Sequence, residues 1–172
     1  IEEPRLGHNA PTCTGGGLYL NTDSTLEATG VEVTNNAAVR EHGGGLSAEI
    51  RCVVQLNASR IHSNSAARSG GGVYLESDSS LDATGVELAN NTSGSGGGGL
   101  YAYINVKVVM HESRIASNAA TLRGGGLYLK TDSSFEATGV EVTNNTAVRE
   151  HGGGLSAEIR CVVQLNASRI HS

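Results

Sequence analysis

The stretch GGGLYLKTDSSFEATGVEVTNN, residues 124–145, decides the fold. Leu127 and Leu129 flank Tyr128, Phe135 and Ala137 flank Glu136, and Val140 and Val142 flank Glu141. Apolar residues at every second position mark a short strand with one buried face. Gly124–Gly126, Thr131-Asp132-Ser133 and Asn144-Asn145 separate these runs with turn-forming residues.

The same pattern recurs on both sides of this stretch. Glycine triplets begin at Gly15, Gly43, Gly70, Gly97, Gly124 and Gly152, 27 or 28 residues apart. A fixed period in this range signals a solenoid of stacked turns. Positions are counted here from the first glycine of each triplet. Positions four and six hold Leu18 and Leu20 in one coil and Leu100 and Ala102 in another, while positions twelve and fourteen hold Leu26 and Ala28, then Val108 and Met110. Position nineteen is always a branched aliphatic: Leu6, Val33, Ile61, Leu88, Ile115, Val142 and Ile170. The predicted fold is all-β, a right-handed parallel β-helix with about 27-residue coils and three short strands per coil. A leucine-rich horseshoe has a similar period. It needs closer-spaced leucines and a helical return segment, which the glycine triplets would break. The predicted organisation is one array: a partial coil 1–14, coils 15–42, 43–69, 70–96, 97–123 and 124–151, and a partial coil 152–172.

Two polar columns follow from the period. Position twenty-two is Asn9, Asn36, Asn64, Asn91, Asn118 and Asn145, read as a structural ladder of amides bonding up and down the stack in a tight turn that favours left-handed geometry. Position eighteen is Arg5, Glu32, Arg60, Glu87, Arg114, Glu141 and Arg169, alternating in sign without exception. Stacked about 4.8 Å apart, these form an inter-coil charge ladder, and a slip by one coil would set like charges together. Position nine nearly repeats it with Asp23, Arg51, Asp78, Asn105, Asp132 and Arg160. The alternation defines a two-coil unit. Above it lies a four-coil unit, since Gly15–Ser63 recurs as Gly124–Ser172 with differences only at Asn21/Lys130, Thr25/Ser134, Leu26/Phe135 and Ala37/Thr146.

Composition narrows the function classes. A net charge of −5 with interspersed signs over 172 residues offers no basic patch for nucleic acid. No apolar run reaches membrane-spanning length and no signal-peptide pattern opens the chain, so no membrane insertion is expected within this segment. Because Ile1 enters the repeat partway through a coil and Ser172 stops before the next corner asparagine, the chain reads as a fragment of a longer one. An asparagine, another glycine triplet and a glutamate at the following position eighteen are expected next. Of the three cysteines, Cys52 and Cys161 are copies four coils apart, too far to bridge, and Cys13 lies at another corner.

The Gly-Gly-Gly-Leu/Val openings and the tetrads Ile61-His62-Ser63-Asn64, Ile115-Ala116-Ser117-Asn118 and Val142-Thr143-Asn144-Asn145 resemble the repeats of the chlamydial polymorphic outer-membrane proteins. Those carry Gly-Gly-Ala-Ile and Phe-x-x-Asn motifs in a β-helical autotransporter passenger. The resemblance implies a surface-exposed or secreted repeat protein, adhesive or structural, without catalysis.

Little in the chain suggests chemistry. Coils vary by one residue in length, so no inserted loop builds a cleft, and His62 and His171, like His42 and His151, are four-coil copies too distant to share a metal. No catalytic residue, metal or cofactor is expected. The tyrosines at position five, Tyr19, Tyr74, Tyr101 and Tyr128, suit either cross-coil packing or stacking on sugars. Asn-x-Ser/Thr sequons mark Asn57, Asn166, Asn90 and Asn144 as glycosylation candidates, with Asn57 and Asn166 favoured at outward position fifteen. A fifth sequon, at Asn91, falls inside the ladder. The expected function is a non-enzymatic β-helical shaft in an extracellular fibre, stalk or cell-surface coat. Its expected partners are further coils, laterally associated copies and glycans. The alternatives are an adhesin passenger binding glycans or a receptor, and a polysaccharide lyase or hydrolase.

Overall fold

A computed structural model describes residues 5–10 and 14–171. Arg5 is described through its backbone alone, and Cys13 lies outside the described residues. Every named element is a strand, and every strand pairing is parallel. The coil that starts at Gly97 is representative, with strands at Leu100–Ala102, Lys107–His111, Arg114–Ala116 and Ala119–Ala120. Each strand pairs with its equivalents one coil below and one coil above, giving sheets of six, six, seven and five strands. We call them the first, long, charge and short sheets in that order. The first three are the expected strands. The short sheet is an addition: its two-residue strands follow the corner asparagine, too brief for alternation to reveal in sequence.

The core is a single column of apolar side chains inside the stack. Phe135, Leu81, Met110 and Val54 from the long sheet meet Leu46, Leu100 and Leu127 from the first sheet and Ile61, Leu88 and Ile115 from the charge sheet, all essentially inaccessible. The charge column pairs residue on residue, Glu32 with Arg60, Arg60 with Glu87, and Glu87 with Arg114.

Positive φ angles mark the corners. They recur at positions one, nine, sixteen and twenty-one, represented by Gly70 at +68°, Asp78 at 61°, Gly85 at +63° and Asn90 at 54°, with Ile159 at 42° a single addition at position eight. The left-handed residue at the asparagine corner is therefore the one before the ladder, Asn35, Ser63, Asn90, Ser117 or Asn144, not the ladder residue itself. The turn is left-handed as the sequence suggests, and the structure locates the residue that makes it so. The ladder amide must point inward along the stack, and the preceding left-handed residue turns it there. The second glycine of each triplet answers a different need. A Cβ at Gly71 would collide with the Thr92 carbonyl and stand 2.5 Å from the Gly98 oxygen, so the coils close over this column at backbone contact.

Candidate functional site

The asparagine column saturates its hydrogen bonding. Asn64 Nδ2 donates to Val33 O at 2.9 Å and to Asn91 Oδ1 at 3.1 Å, and Asn91 Oδ1 also accepts the Asn64 backbone N–H at 3.0 Å. Asn91 repeats the set with Ile61 O and Asn118 Oδ1, and Asn118 repeats it with Leu88 O and Asn145 Oδ1. Each buried amide thus spends two donors and two acceptor sites, the full capacity of the group. Asn9 and Asn36 extend the chain of bonds at one end.

A second internal device was not recognised in the sequence. Position seventeen alternates Val31, Ser59, Val86, Ser113, Val140 and Ser168. Each serine hydroxyl accepts the valine N–H of the coil below, as in Val86 N to Ser113 Oγ at 3.0 Å, and donates within its own coil, as in Ser113 Oγ to His111 O at 2.7 Å. The left-handed residue at position sixteen turns that N–H out of the regular ladder, and the serine recovers it. The strict Val–Ser alternation was the available signal.

On the charge sheet, Arg114 reaches Glu87 at 3.0 Å and Glu141 at 3.4 Å, bridging three coils. Arg60 stands 4.0 Å from Glu87, and His62 Nε2 lies 2.7 Å from Glu32 Oε1. At position nine, Arg51 grips Asp23 through Nε at 2.6 Å and Nη2 at 2.8 Å, and this fork holds the Asp23 carboxyl below its ordinary range. Arg160 and Asp132 repeat the arrangement at 2.6 Å for both contacts. Among the described residues, no group of three His, Cys, Asp or Glu side chains is placed to hold a metal, and no helix is long and apolar enough to cross a membrane.

The outer face of the first sheet is the most differentiated surface. All five tyrosines of the chain lie there, four at position five and Tyr103 at position seven. Tyr74, Tyr101 and Tyr128 are each only 6% exposed, although position five points away from the core. The cover is the segment that leads from the short sheet to the next triplet. Its backbone forms a ladder of its own, Arg68 N to Glu41 O, Ser95 N to Arg68 O and Leu122 N to Ser95 O. Gly96 in this segment abuts the Tyr128 ring so closely that any side chain would strike it. His42 of this segment stacks on Tyr74 at 4.4 Å, Tyr74 on Tyr101 at 5.5 Å, and Tyr101 meets Tyr128 edge-on at 5.0 Å. Burial raises the Tyr128 phenol and lowers the His42 imidazole from their ordinary values.

Arg123 closes one side of this face, bonding Glu150 and Glu158 and standing 3.4 Å from the Tyr128 hydroxyl. A groove of about 230 Å³ runs between Ser95, Leu122 and Arg123 on one side and Lys130 on the other. A shallow depression of about 240 Å³ crosses the outer face of the long sheet over Gln55, Asp82 and Lys107.

The sequons divide into two kinds. Asn57 is exposed, but Ser59 of its sequon is 2% exposed and its hydroxyl is committed to Val31 N and Asn57 O. Ser168 is engaged in the same way beside Asn166. Asn90 and Asn144 are exposed at the left-handed corner, and so are the sequon threonines Thr92 and Thr146. Asn91 is fully buried.

A family model described as "Right handed beta helix region" matches residues 16–172. The chain belongs to the right-handed β-helix family. Its β-helix gives the match a simple reading, since the inward columns and corner residues are what such repeats share. No curated protein matches the chain, and no solved structure does.

Proposed function

We propose that this β-helix is a non-enzymatic structural shaft, a segment of an extracellular fibre, stalk or surface coat. The observation that supports this reading best is the asparagine column, buried from Asn36 to Asn118 and hydrogen-bonded from coil to coil without interruption from Asn9 to Asn145. An internal column of saturated amides ties each coil to its neighbours and resists bending and slippage. Coil lengths that differ by at most one residue add to this, because a rod needs no inserted loops whereas a catalytic cleft does. Electron microscopy and small-angle scattering test the reading. A rod that lengthens by about 4.8 Å for each coil added is expected, and a compact particle would overturn it.

The adhesin reading has one observation in its favour: Tyr19 is 49% exposed at the edge of the aromatic face. Against it, the ring faces of Tyr74 and Tyr101 are taken up by their neighbours, which removes the platform a pyranose ring would stack on. A glycan array distinguishes the two: binding lost in Tyr19→Ala favours the adhesin, and no binding favours the shaft. Incubation with acidic polysaccharides tests the enzymatic alternative, for which turnover would be decisive.

A further inference from the structure

Position seven breaks the rule that charged columns obey elsewhere. At positions eighteen and nine, opposite charges face each other between coils, as Arg114 does with Glu87 and Arg51 with Asp23. Position seven instead stacks Glu49 against Glu76, followed by Tyr103, Lys130 and Glu158, the last held by Arg123. Backbone bonds hold these residues in line: Glu76 N to Ala48 O at 2.8 Å, Tyr103 N to Leu75 O at 3.0 Å and Lys130 N to Ala102 O at 2.9 Å. Burial, and then the Glu49 charge, raise the Glu76 carboxyl above its ordinary value. Among the described residues neither glutamate has a cationic partner, and Lys130 contacts no carboxylate, only the Tyr103 ring at 5.1 Å.

The arrangement has a centre. Glu76 lies 27 residues before Tyr103 and Lys130 lies 27 after it, one coil away in each direction. Rotating the face by 180° about an axis through Tyr103 exchanges the negative and positive ends. We propose that the position-seven column, at the margin of the covered outer face of the first sheet, is a self-pairing surface on which two copies of the chain dock antiparallel. Tyr103 faces Tyr103 of the second copy, and Glu76 of each copy meets Lys130 of the other. Such a contact is isologous and closes on itself. One coil further out, Glu49 would face the second copy's Glu158, whose charge Arg123 of its own chain already neutralises. The four-coil repeat offers an internal comparison: the position equivalent to Lys130 is Asn21, so the cation is confined to the coil adjoining Tyr103.

The contact rests on one column of side chains and on exposed charge pairs, so the dimer is weak and favoured at low salt. Sedimentation velocity of the 172-residue chain at low salt tests it. A concentration-dependent dimer is expected, weakened about tenfold by Lys130→Glu and equally by Glu76→Lys, and restored in the doubly reversed variant. Lys107→Glu, a reversal on the long sheet, should leave association unchanged. Circular dichroism confirms that each variant is folded. A monomer at all concentrations, failure of the double variant to restore pairing, or equal loss in Lys107→Glu would overturn the proposal. The shaft reading is tested by particle shape and this pairing by mass, so either can fail alone.

Discussion

His42 lies flat against Tyr74, ring centroids 4.4 Å apart, and its Nδ1 accepts the Ser69 N–H at 3.2 Å. The hydrogen bond needs an unprotonated Nδ1, and burial keeps the folded-state value below the unfolded one near 6.5. The nearby Glu41 acts in the opposite direction but does not outweigh burial. A group with a depressed folded value takes up its proton first in the unfolded chain, so its contribution is intact above about pH 6.5 and lost as pH falls below it. Urea unfolding at pH 7.5 and 5.5 should show a larger acid loss for the native chain than for His42→Gln. Equal losses would remove His42 from the account.

Asn91→Ala should destabilise strongly. The change removes the side-chain donor to Ile61 O and leaves Asn64 N without its acceptor, and it takes one of two bonds from Asn64 Nδ2 and from Asn118 Oδ1, all in the interior. Each buried unsatisfied group costs about 1–3 kcal/mol, so a loss of about 3 kcal/mol or more is expected. Asn9→Ala, exposed at the end of the column, should cost under ~1 kcal/mol. Comparing the two denaturation midpoints checks the gradient.

Glycine substitutions should separate contact from conformation. Gly71→Ala meets backbone oxygens of two neighbouring segments and should abolish folding. Gly85→Ala meets nothing closer than 3.9 Å, and the equivalent position one coil below already carries Ala58 at φ 45°. It should cost only about 1–2 kcal/mol of left-handed strain. Soluble yield and thermal melts of the two variants decide the point.

Glycosylation should follow accessibility of the whole sequon. When folded chain is presented to an N-glycosyltransferase, Asn90 and Asn144 should be occupied and Asn57, Asn91 and Asn166 empty. Site mapping by mass spectrometry reads this directly. Occupancy at Asn57 would show that Ser59 leaves its bonds to Val31 and Asn57.

The sequence by itself determined the stack. Triplets at constant spacing fix which residues share a column, so the inward aliphatics, the asparagine column and the Arg–Glu register could be read before any coordinate. Tertiary structure alone decided how each column is used. Position five points outward by alternation, yet Tyr74, Tyr101 and Tyr128 are covered, because the segment before each triplet folds back over them. The left-handed corner sits one residue before the ladder, and the hydroxyl of Ser59 is spent on a neighbouring coil although Asn57 beside it faces solvent. Periodicity reports only which residues stack. Whether a stacked side chain meets water, a covering segment or an unpaired like charge depends on chain that returns from a different part of the coil.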